Sequence, residues 1–260
     1  MRACGAEEAP TLLLLHGLTS HARTWDAVAT ALADRFHVLA LDLRGHGESD
    51  WAPRYSYDVC ADDVEQFAAQ LQLHHFALLG QSLGAEVAYA YAGRAPQELT
   101  RLVLVDRGPG SIPAAALAAL LAQTGTRAQE LFANPETPIQ AAAALARPRA
   151  VAGTREFVAH NLVQGTDGRW RWRYDAAGLA LATVRPEADL WAWLAQIRCP
   201  TLIVRGAESP ILSREHAEQM VRAIPTARWT EVAESGHGVH VDNLAGFLEV
   251  VRPFLLESAG

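Results

Sequence analysis

Short apolar runs alternate along this chain with longer segments whose apolar residues recur at helical spacing. Five runs have the composition of strands buried on both faces, and a last short strand follows near the end. The six ranges are 11–15, 36–41, 76–79, 102–105, 201–204 and 227–232. This alternation predicts an α/β fold with a mostly parallel, doubly wound sheet. Right-handed crossovers would then bring the carboxyl end of every parallel strand to one edge, where ligands bind.

The alternation stops between residues 110 and 196. Ala-rich segments at 114–123 and 138–145 are helical in pattern and are punctuated by prolines, including Pro113 and Pro148. We therefore expect a helical cap at 110–196, inserted into an α/β core that comprises 1–109 and 197–260. Ten residues precede the first buried strand, so at most one short additional strand fits there.

Composition excludes several classes of partner. The chain has 260 residues and a net charge of −7, which argues against nucleic acid or an anionic membrane as the main partner. Its three cysteines give no disulfide framework and no metal-ligand spacing. No segment resembles a signal peptide or a membrane span. We therefore expect a cytoplasmic protein without a membrane partner, either a monomer or a small homo-oligomer.

The strongest chemical signal is the segment Gly80-Gln81-Ser82-Leu83-Gly84, which follows an apolar strand and precedes a helical pattern. Such a strand–turn–helix needs small neighbours because the turn strains the backbone at its centre. It would hold the Ser82 hydroxyl above the sheet edge, at the positive end of the next helix. The backbone N–H of Leu83 would then face an oxyanion formed by attack on a carbonyl.

Two further segments end strands at the same predicted edge: His16-Gly17-Leu18 and Gly236-His237-Gly238. A neutral serine hydroxyl needs a base, and His237 lies between glycines that let its loop approach Ser82. We predict His237 as that base and the Leu18 N–H as a second oxyanion donor. We expect His16 to organise its loop by hydrogen bonding, and His240 to have a structural role.

Together these segments, with Asp42-Leu43-Arg44-Gly45-His46-Gly47-Glu48-Ser49 and Val105-Asp106, resemble the α/β-hydrolase family over nearly the whole chain. The resemblance implies a serine nucleophile, a late histidine base and an acid that orients the histidine. The first two roles fall on Ser82 and His237. It implies no cofactor and no metal.

The acid is not at the usual place of the family. The position after the 201–204 strand where an aspartate is expected holds Ser209, within Arg205-Gly206-Ala207-Glu208-Ser209-Pro210. A subgroup of bacterial esterases that act on short acyl esters and thioesters is similar here: it takes its acid from the strand after the nucleophile helix and uses the serine as a fourth member. We place Asp106 ahead of Glu208, because Asp106 ends that strand and keeps the order Ser, Asp, His. Glu208 on a shifted turn remains the alternative acid.

Basic and aromatic residues alternate over 169–174. The pattern favours a ribbon in the cap, with Trp170 and Trp172 facing inward over the substrate pocket. Nucleic-acid stacking is disfavoured by the net charge. A further alternative is that Arg169 and Arg171 meet an anionic tail of the substrate.

We therefore predict a serine hydrolase that cleaves carboxylic esters or acyl thioesters through an acyl-enzyme. A carbon–carbon bond hydrolase and a cofactor-free peroxidase are alternatives on the same fold. A ligand-binding protein with an inactive site is the alternative of a different class.

Overall fold

The computed structural model describes residues 1–112, 114–145, 151–181 and 187–257. The strands are β1 (Arg2–Cys4), β2 (Thr11–Leu15), β3 (His37–Leu41), β4 (Phe76–Gln81), β5 (Leu99–Val105), β6 (Leu162–Gln164), β7 (Trp170–Trp172), β8 (Thr201–Gly206) and β9 (Ala227–Val232). The α-helices are α1 (Asp26–Leu32), α2 (Tyr57–Gln70), α3 (Leu83–Ala92), α4 (Ala114–Thr126), α5 (Glu136–Leu145), α6 (Val151–His160), α7 (Ala176–Ala180), α8 (Glu187–Gln196), α9 (Arg214–Ala223), α10 (Val239–Asp242) and α11 (Leu244–Leu256). Short 3-10 helices occur at Ala22–Trp25 and Arg127–Gln129.

Seven strands form the main sheet in the order β1-β3-β2-β4-β5-β8-β9. All neighbours are parallel except β1, which pairs antiparallel with β3 at the edge. The predicted doubly wound, mostly parallel sheet is confirmed, and β1 is the one short strand for which the first ten residues have room. The predicted run at 36–41 begins one residue too early, because β3 starts at His37.

Residues that alternate along the central strands enter two separate cores, which explains why these strands are apolar throughout. Leu13 and Leu78 pack on one face with residues of α2, α3 and α8. Leu12 and Leu79 pack on the other face with residues of α1 and α11. Helices therefore cover both faces of the sheet, and the carboxyl ends of β2, β4, β5 and β8 share one edge.

The connection from β5 to β8 contains helices α4 to α8 and an antiparallel hairpin of β6 and β7. Pro113, Pro148 and the parts of the predicted cap at 113, 146–150 and 182–186 lie outside the described residues, as does 258–260 of the predicted core. Leu190 and Leu194 of α8 are buried in the same core as α3, so this last helix of the predicted cap packs onto the sheet domain. None of the helices in the described ranges has the length and apolar character that crossing a membrane requires.

Candidate active site

Ser82 connects β4 to α3 through a strained turn. Its backbone angles, φ of 54° and ψ of −118°, lie in a region that residues other than glycine rarely adopt. The two glycines of the motif permit the turn: a Cβ on Gly80 would lie 2.1 Å from the Gly84 carbonyl oxygen. A Cβ on Gly84 would lie 2.3 Å from the Leu15 carbonyl oxygen, against the neighbouring strand. Glycine at positions 80 and 84 therefore leaves the space that the turn at Ser82 requires.

The structure brings Ser82, His237 and Asp106 into one hydrogen-bonded line. His237 Nε2 lies 3.0 Å from Ser82 Oγ, and His237 Nδ1 lies 2.8 Å from Asp106 Oδ2. Asp106 is fully buried directly after β5, and its carboxylate accepts a hydrogen bond from the N–H at His237 Nδ1. That tautomer leaves Nε2 as an acceptor for the serine hydroxyl, which is the arrangement a general base requires.

Asp106 has two further donors, both from the loop that follows β8. The Gly206 N–H donates to Asp106 Oδ1 at 3.1 Å, and Ser209 Oγ donates to Asp106 Oδ2 at 2.5 Å. Ser209 Oγ in turn accepts from the Ile211 N–H at 3.1 Å. The other sequence candidate, Glu208, has an exposed side chain, while its N–H donates to the Ser235 carbonyl. The carboxylate on His237 is therefore that of Asp106, with Ser209 beside it.

The two predicted oxyanion donors lie next to Ser82. Leu83 is the first residue of α3, so its N–H belongs to the first turn, which has no partner inside the helix. Leu18 follows β2, and both residues line the cavity that Ser82 also lines. Leu83 lies at the amino-terminal end of α3, where the peptide dipoles favour negative charge.

Two histidines, His16 and His46, hold the loop that contains Leu18. His16 Nε2 accepts from the Leu43 N–H at 3.0 Å, and His46 Nε2 accepts from the Thr19 N–H at 3.2 Å. Burial is the main cause that lowers the pKa of His16 well below its ordinary value and that of His46 to about 4. Both rings are therefore neutral at pH 7 and can accept. The expected organising role of His16 agrees with this geometry.

Asn161, from the segment after α6, completes the support of this loop. Its Nδ2 donates to the Thr19 carbonyl at 2.7 Å. Thr19 has a φ of 58°, so the donated bond fixes a backbone conformation that is unfavourable for threonine. No local sequence pattern indicates this contact, because 142 residues separate the two partners.

Gln81, directly before Ser82, belongs to the site by its contacts, although sequence reasoning does not single it out. Its Nε2 donates to the His237 carbonyl at 3.2 Å and lies 3.3 Å from His237 Nε2. The side chain is nearly buried. A Cβ on Gly17 would lie 2.5 Å from Gln81 Oε1 and 3.2 Å from Ser82 Cβ, so a side chain at position 17 would displace the Gln81 amide from its present position. Gln81 therefore connects the His237 loop to the end of β4.

A small cavity of about 50 Å³ opens beside Ser82 and Leu83. Its walls are leucines of the predicted cap, Leu117, Leu120 and Leu121 from α4 and Leu179 from α7. Tyr55, Tyr57, Glu86 and Arg107 also line it. A space of this size holds only a few water-sized groups.

The structure does not bring Trp170 and Trp172 to this cavity. Trp172 Nε1 donates to Glu130 Oε2 at 2.6 Å, and its ring stacks on Tyr174 with centroids 5.8 Å apart. Trp170 forms a backbone bridge with Phe132 on the far side of the hairpin. Both indoles pack against the small core of the cap, and Trp172 also packs against the cluster that contains Tyr55 and Leu179, two residues that line the cavity. Neither tryptophan lines the cavity itself, so Trp172 lies one layer behind its wall.

The two arginines of the hairpin, Arg169 and Arg171, are also absent from the wall of this cavity. Arg171 Nη2 forms an ion pair with Asp167 Oδ1 at 2.9 Å. Arg169 is exposed on the same hairpin. Neither lines the cavity beside Ser82.

A second and larger cavity, of about 600 Å³, lies next to the loop that carries His237. Gln81 and Gly238 form its border with the site. Its polar side chains include Arg23, Glu156, His160 and the carboxylates of Asp26 and Asp242. Arg23 Nη1 donates to His160 Nε2 at 3.1 Å. Ser82 therefore lines the small, mostly apolar cavity, while its neighbour Gln81 lines the wide groove, in which several charged side chains lie on a mostly apolar surface.

Comparison with known proteins gives consistent results. The family model described as alpha/beta hydrolase fold matches residues 10–244. The chain is 31% identical over 254 residues to the mouse sn-1-specific diacylglycerol lipase ABHD11, covering 95% of this chain and 81% of the lipase. It is 32% identical over 255 residues to esterase Rv0045c of Mycobacterium tuberculosis, covering 95% of this chain and 83% of the esterase.

Solved structures agree with these relatives. A structure of the M. tuberculosis esterase Rv0045c superposes with a TM-score of 0.84 at 29% identity, covering 98% of this chain and 91% of that one. A structure of E-2-(acetamidomethylene)succinate hydrolase also gives a TM-score of 0.84, at 27% identity, covering 98% of this chain and 93% of that one. These similarities favour ester hydrolysis over carbon–carbon bond hydrolysis, peroxidase chemistry or ligand binding without catalysis.

Proposed function

From the premise that this chain belongs to the α/β-hydrolase fold family and is a carboxylic ester hydrolase, we propose that Ser82, His237 and Asp106 perform its reaction, with Ser209 as a fourth member. The single observation that carries this assignment is the continuous line of hydrogen bonds from Ser82 Oγ through the His237 ring to Asp106. The names of the relatives, a diacylglycerol lipase and an esterase, support an ester as the substrate.

In the first half-reaction Ser82 Oγ attacks the ester carbonyl carbon while His237 Nε2 takes the hydroxyl proton. A bond forms between Oγ and the carbonyl carbon, and the carbonyl oxygen carries the negative charge. When the tetrahedral intermediate collapses, the bond to the leaving oxygen breaks and His237 returns its proton to that oxygen. The products are an alcohol and an acyl group bound to Ser82.

In the second half-reaction water replaces the alcohol. His237 takes a proton from water as its oxygen attacks the acyl carbon, and the proton then passes to Ser82 Oγ as the acyl bond breaks. Asp106 stabilises the imidazolium ion in both steps without being protonated. The N–H groups of Leu18 and Leu83 stabilise the oxyanion, and one such donor contributes about 10²–10³ in rate.

We also assign the two sides of the site. The acyl group enters the small cavity beside Leu83, and the leaving group extends past Gln81 into the wide groove, since His237 must reach the leaving oxygen. The carboxylates of Asp26, Glu156 and Asp242 outnumber Arg23 in that groove, so it disfavours polyanionic leaving groups. Oxygen esters with uncharged alcohols are therefore better substrates than thioesters of phosphate-bearing carriers.

We propose that 110–196 acts as a cap, supported by the leucines of α4 and α7 that line the acyl cavity. We propose a cytoplasmic location, supported by the free thiols of Cys4, Cys60 and Cys199. A monomer or a small homo-oligomer is expected, and light scattering after size exclusion measures which of the two forms.

Active-site labelling tests the proposed chemistry. A fluorophosphonate should label the protein once, at Ser82, and Ser82→Ala should lose both the label and the hydrolysis of p-nitrophenyl butanoate. Ser56→Ala is the matched control, because the Ser56 side chain caps no helix N–H and lies outside the site. Labelling that survives Ser82→Ala, in a variant whose circular dichroism matches the parent, refutes the assignment of the nucleophile.

A further inference from the structure

A buried ion pair lies in the wall of the acyl cavity and has no part in the mechanism above. Arg107 donates from Nε at 2.9 Å and from Nη2 at 2.8 Å, both to the single oxygen Oε1 of Glu86. The Arg107 and Glu86 side chains are 4% and 6% exposed. Such a pair is costly to bury, and a well-packed apolar pair is often as stable. The pair therefore calls for a reason beyond the stability of the fold.

The pair leaves one donor unused. Within the described part of the chain, Arg107 Nη1 is buried and has no hydrogen-bond partner. Buried donors almost always have partners, and one that lacks a partner costs the full desolvation of the group. The Tyr57 hydroxyl interacts with both Arg107 and Glu86 and lines the same cavity, so a bound acyl group beside it is in a position to supply the missing acceptor.

The position of the pair fixes which part of an acyl group it can meet. Glu86 follows Ser82 by one helical turn, and the Glu86 N–H donates to the Ser82 carbonyl at 3.1 Å. At 1.5 Å of rise per residue, the pair lies about 6 Å along α3 from the nucleophile. With a hydrogen bond of about 2.9 Å, an acceptor on about the third or fourth carbon of the acyl chain comes within reach.

The charge of the pair selects the kind of acceptor. Glu86 balances Arg107, so an additional carboxylate would be desolvated beside Glu86 without a free positive charge. Tyr57 lines the same cavity, and burial, followed by the charge of Glu86, raises the pKa of its hydroxyl. The tyrosine therefore stays protonated and neutral. The polar wall suits an oxygen that accepts hydrogen bonds and carries no charge.

We propose that the cavity binds a short acyl group that carries a neutral oxygen, in a hydroxyl or keto group at about the third or fourth carbon, and that this oxygen accepts a hydrogen bond from Arg107 Nη1. The site thereby distinguishes oxygenated short acyl esters from plain ones. This inference rests on the proposed function, since it takes the cavity beside Leu83 as the acyl site.

Paired substrates with the same leaving group test the inference, because differences in leaving-group chemistry then cancel. The kcat/KM for p-nitrophenyl 3-hydroxybutanoate is divided by that for p-nitrophenyl butanoate. The parent should prefer the hydroxylated ester by about tenfold, the size of one hydrogen bond to a charged group. The double variant Glu86→Leu with Arg107→Met replaces the pair without leaving a charge unpaired, and it should abolish that preference.

Controls separate the inference from other causes. Leu121→Ala alters the cavity wall without touching the pair, so it should change both kcat/KM values in parallel and preserve their ratio. Arg107→Lys keeps the positive charge but loses the planar guanidinium with its separate N–H donors. It should give a ratio of the two kcat/KM values between those of the parent and the double variant. Thermal unfolding of each variant establishes that the protein measured is folded.

Three outcomes would overturn the inference: a parent ratio at or below one, a double variant that keeps the parent ratio, or a p-nitrophenyl hemisuccinate that exceeds both neutral esters. The last would assign the cavity to anionic acyl groups. A pre-steady-state burst of p-nitrophenol from the butanoate ester reports the Ser82 acyl-enzyme independently. Absence of that burst with absence of labelling would refute the proposed function itself.

Discussion

Replacing Asp106 by asparagine tests the assignment of the acid, and the structure predicts why the effect is large. The Gly206 N–H donates to Asp106 Oδ1, so the oxygen of the new amide is held at that position. Its NH₂ group then occupies the place of Oδ2, where it faces His237 Nδ1. There it donates a hydrogen bond to Nδ1 and moves the ring proton to Nε2. His237 in that tautomer cannot accept the proton of Ser82.

The wrong tautomer costs about 10⁴ in kcat in serine proteases, which equals about 5.5 kcal/mol of transition-state stabilisation. We expect a loss of that size for Asp106→Asn. Ser209→Ala removes one of the donors to Asp106 and leaves the ring tautomer intact, so it should cost about tenfold, the value of one hydrogen bond to a charged group.

The assay is kcat for p-nitrophenyl butanoate near neutral pH, with circular dichroism to verify that each variant is folded. Glu208→Gln is the matched control, because it makes the same change from carboxylate to amide on an exposed side chain two residues beyond Gly206. It should stay within about twofold of the parent, as surface substitutions do. A loss near 10⁴ for Glu208→Gln beside a mild loss for Asp106→Asn would refute the reasoning and restore Glu208 as the acid.

Two further predictions concern stability. His240 is buried against Trp25 with ring centroids 4.0 Å apart, and burial lowers its pKa from 6.5 to about 3. The unfolded chain therefore binds one more proton between these two values, so the free energy of unfolding decreases as the pH falls from 6.5 towards 3. His240→Phe should remove about 1.4 kcal/mol per pH unit from the pH dependence of urea unfolding, and an unchanged slope between pH 6.5 and 4 would contradict this. Trp172→Phe loses the hydrogen bond to Glu130 and should lower the free energy of unfolding by about 1 kcal/mol while the acyl-length profile stays that of the parent; a shifted profile would return Trp172 to the pocket.

The sequence alone indicates the sheet and the nucleophile because both depend on residues that are near each other in the chain. A strand buried on both faces must be apolar throughout, which made β2 and β4 visible as continuous runs. The backbone strain at Ser82 requires glycines at fixed offsets, so Gly80 and Gly84 indicate the turn before any tertiary structure is known. The common edge of a parallel sheet then implies that His237 can approach.

Only the tertiary structure decides which side chains meet across long separations. The family resemblance assigns Asp106 and Ser209 to one site, but the two residues are 103 positions apart, and only the folded chain shows the direct 2.5 Å contact between Ser209 Oγ and Asp106 Oδ2. The alternation at 169–174 correctly indicated a ribbon but could not say what its inner face covers. The docking of the hairpin places Trp172 against Tyr174, and leucines from α4 and α7 line the acyl cavity. Periodicity reports which side of an element is buried, whereas the partner on that side is selected by the packing of the whole chain.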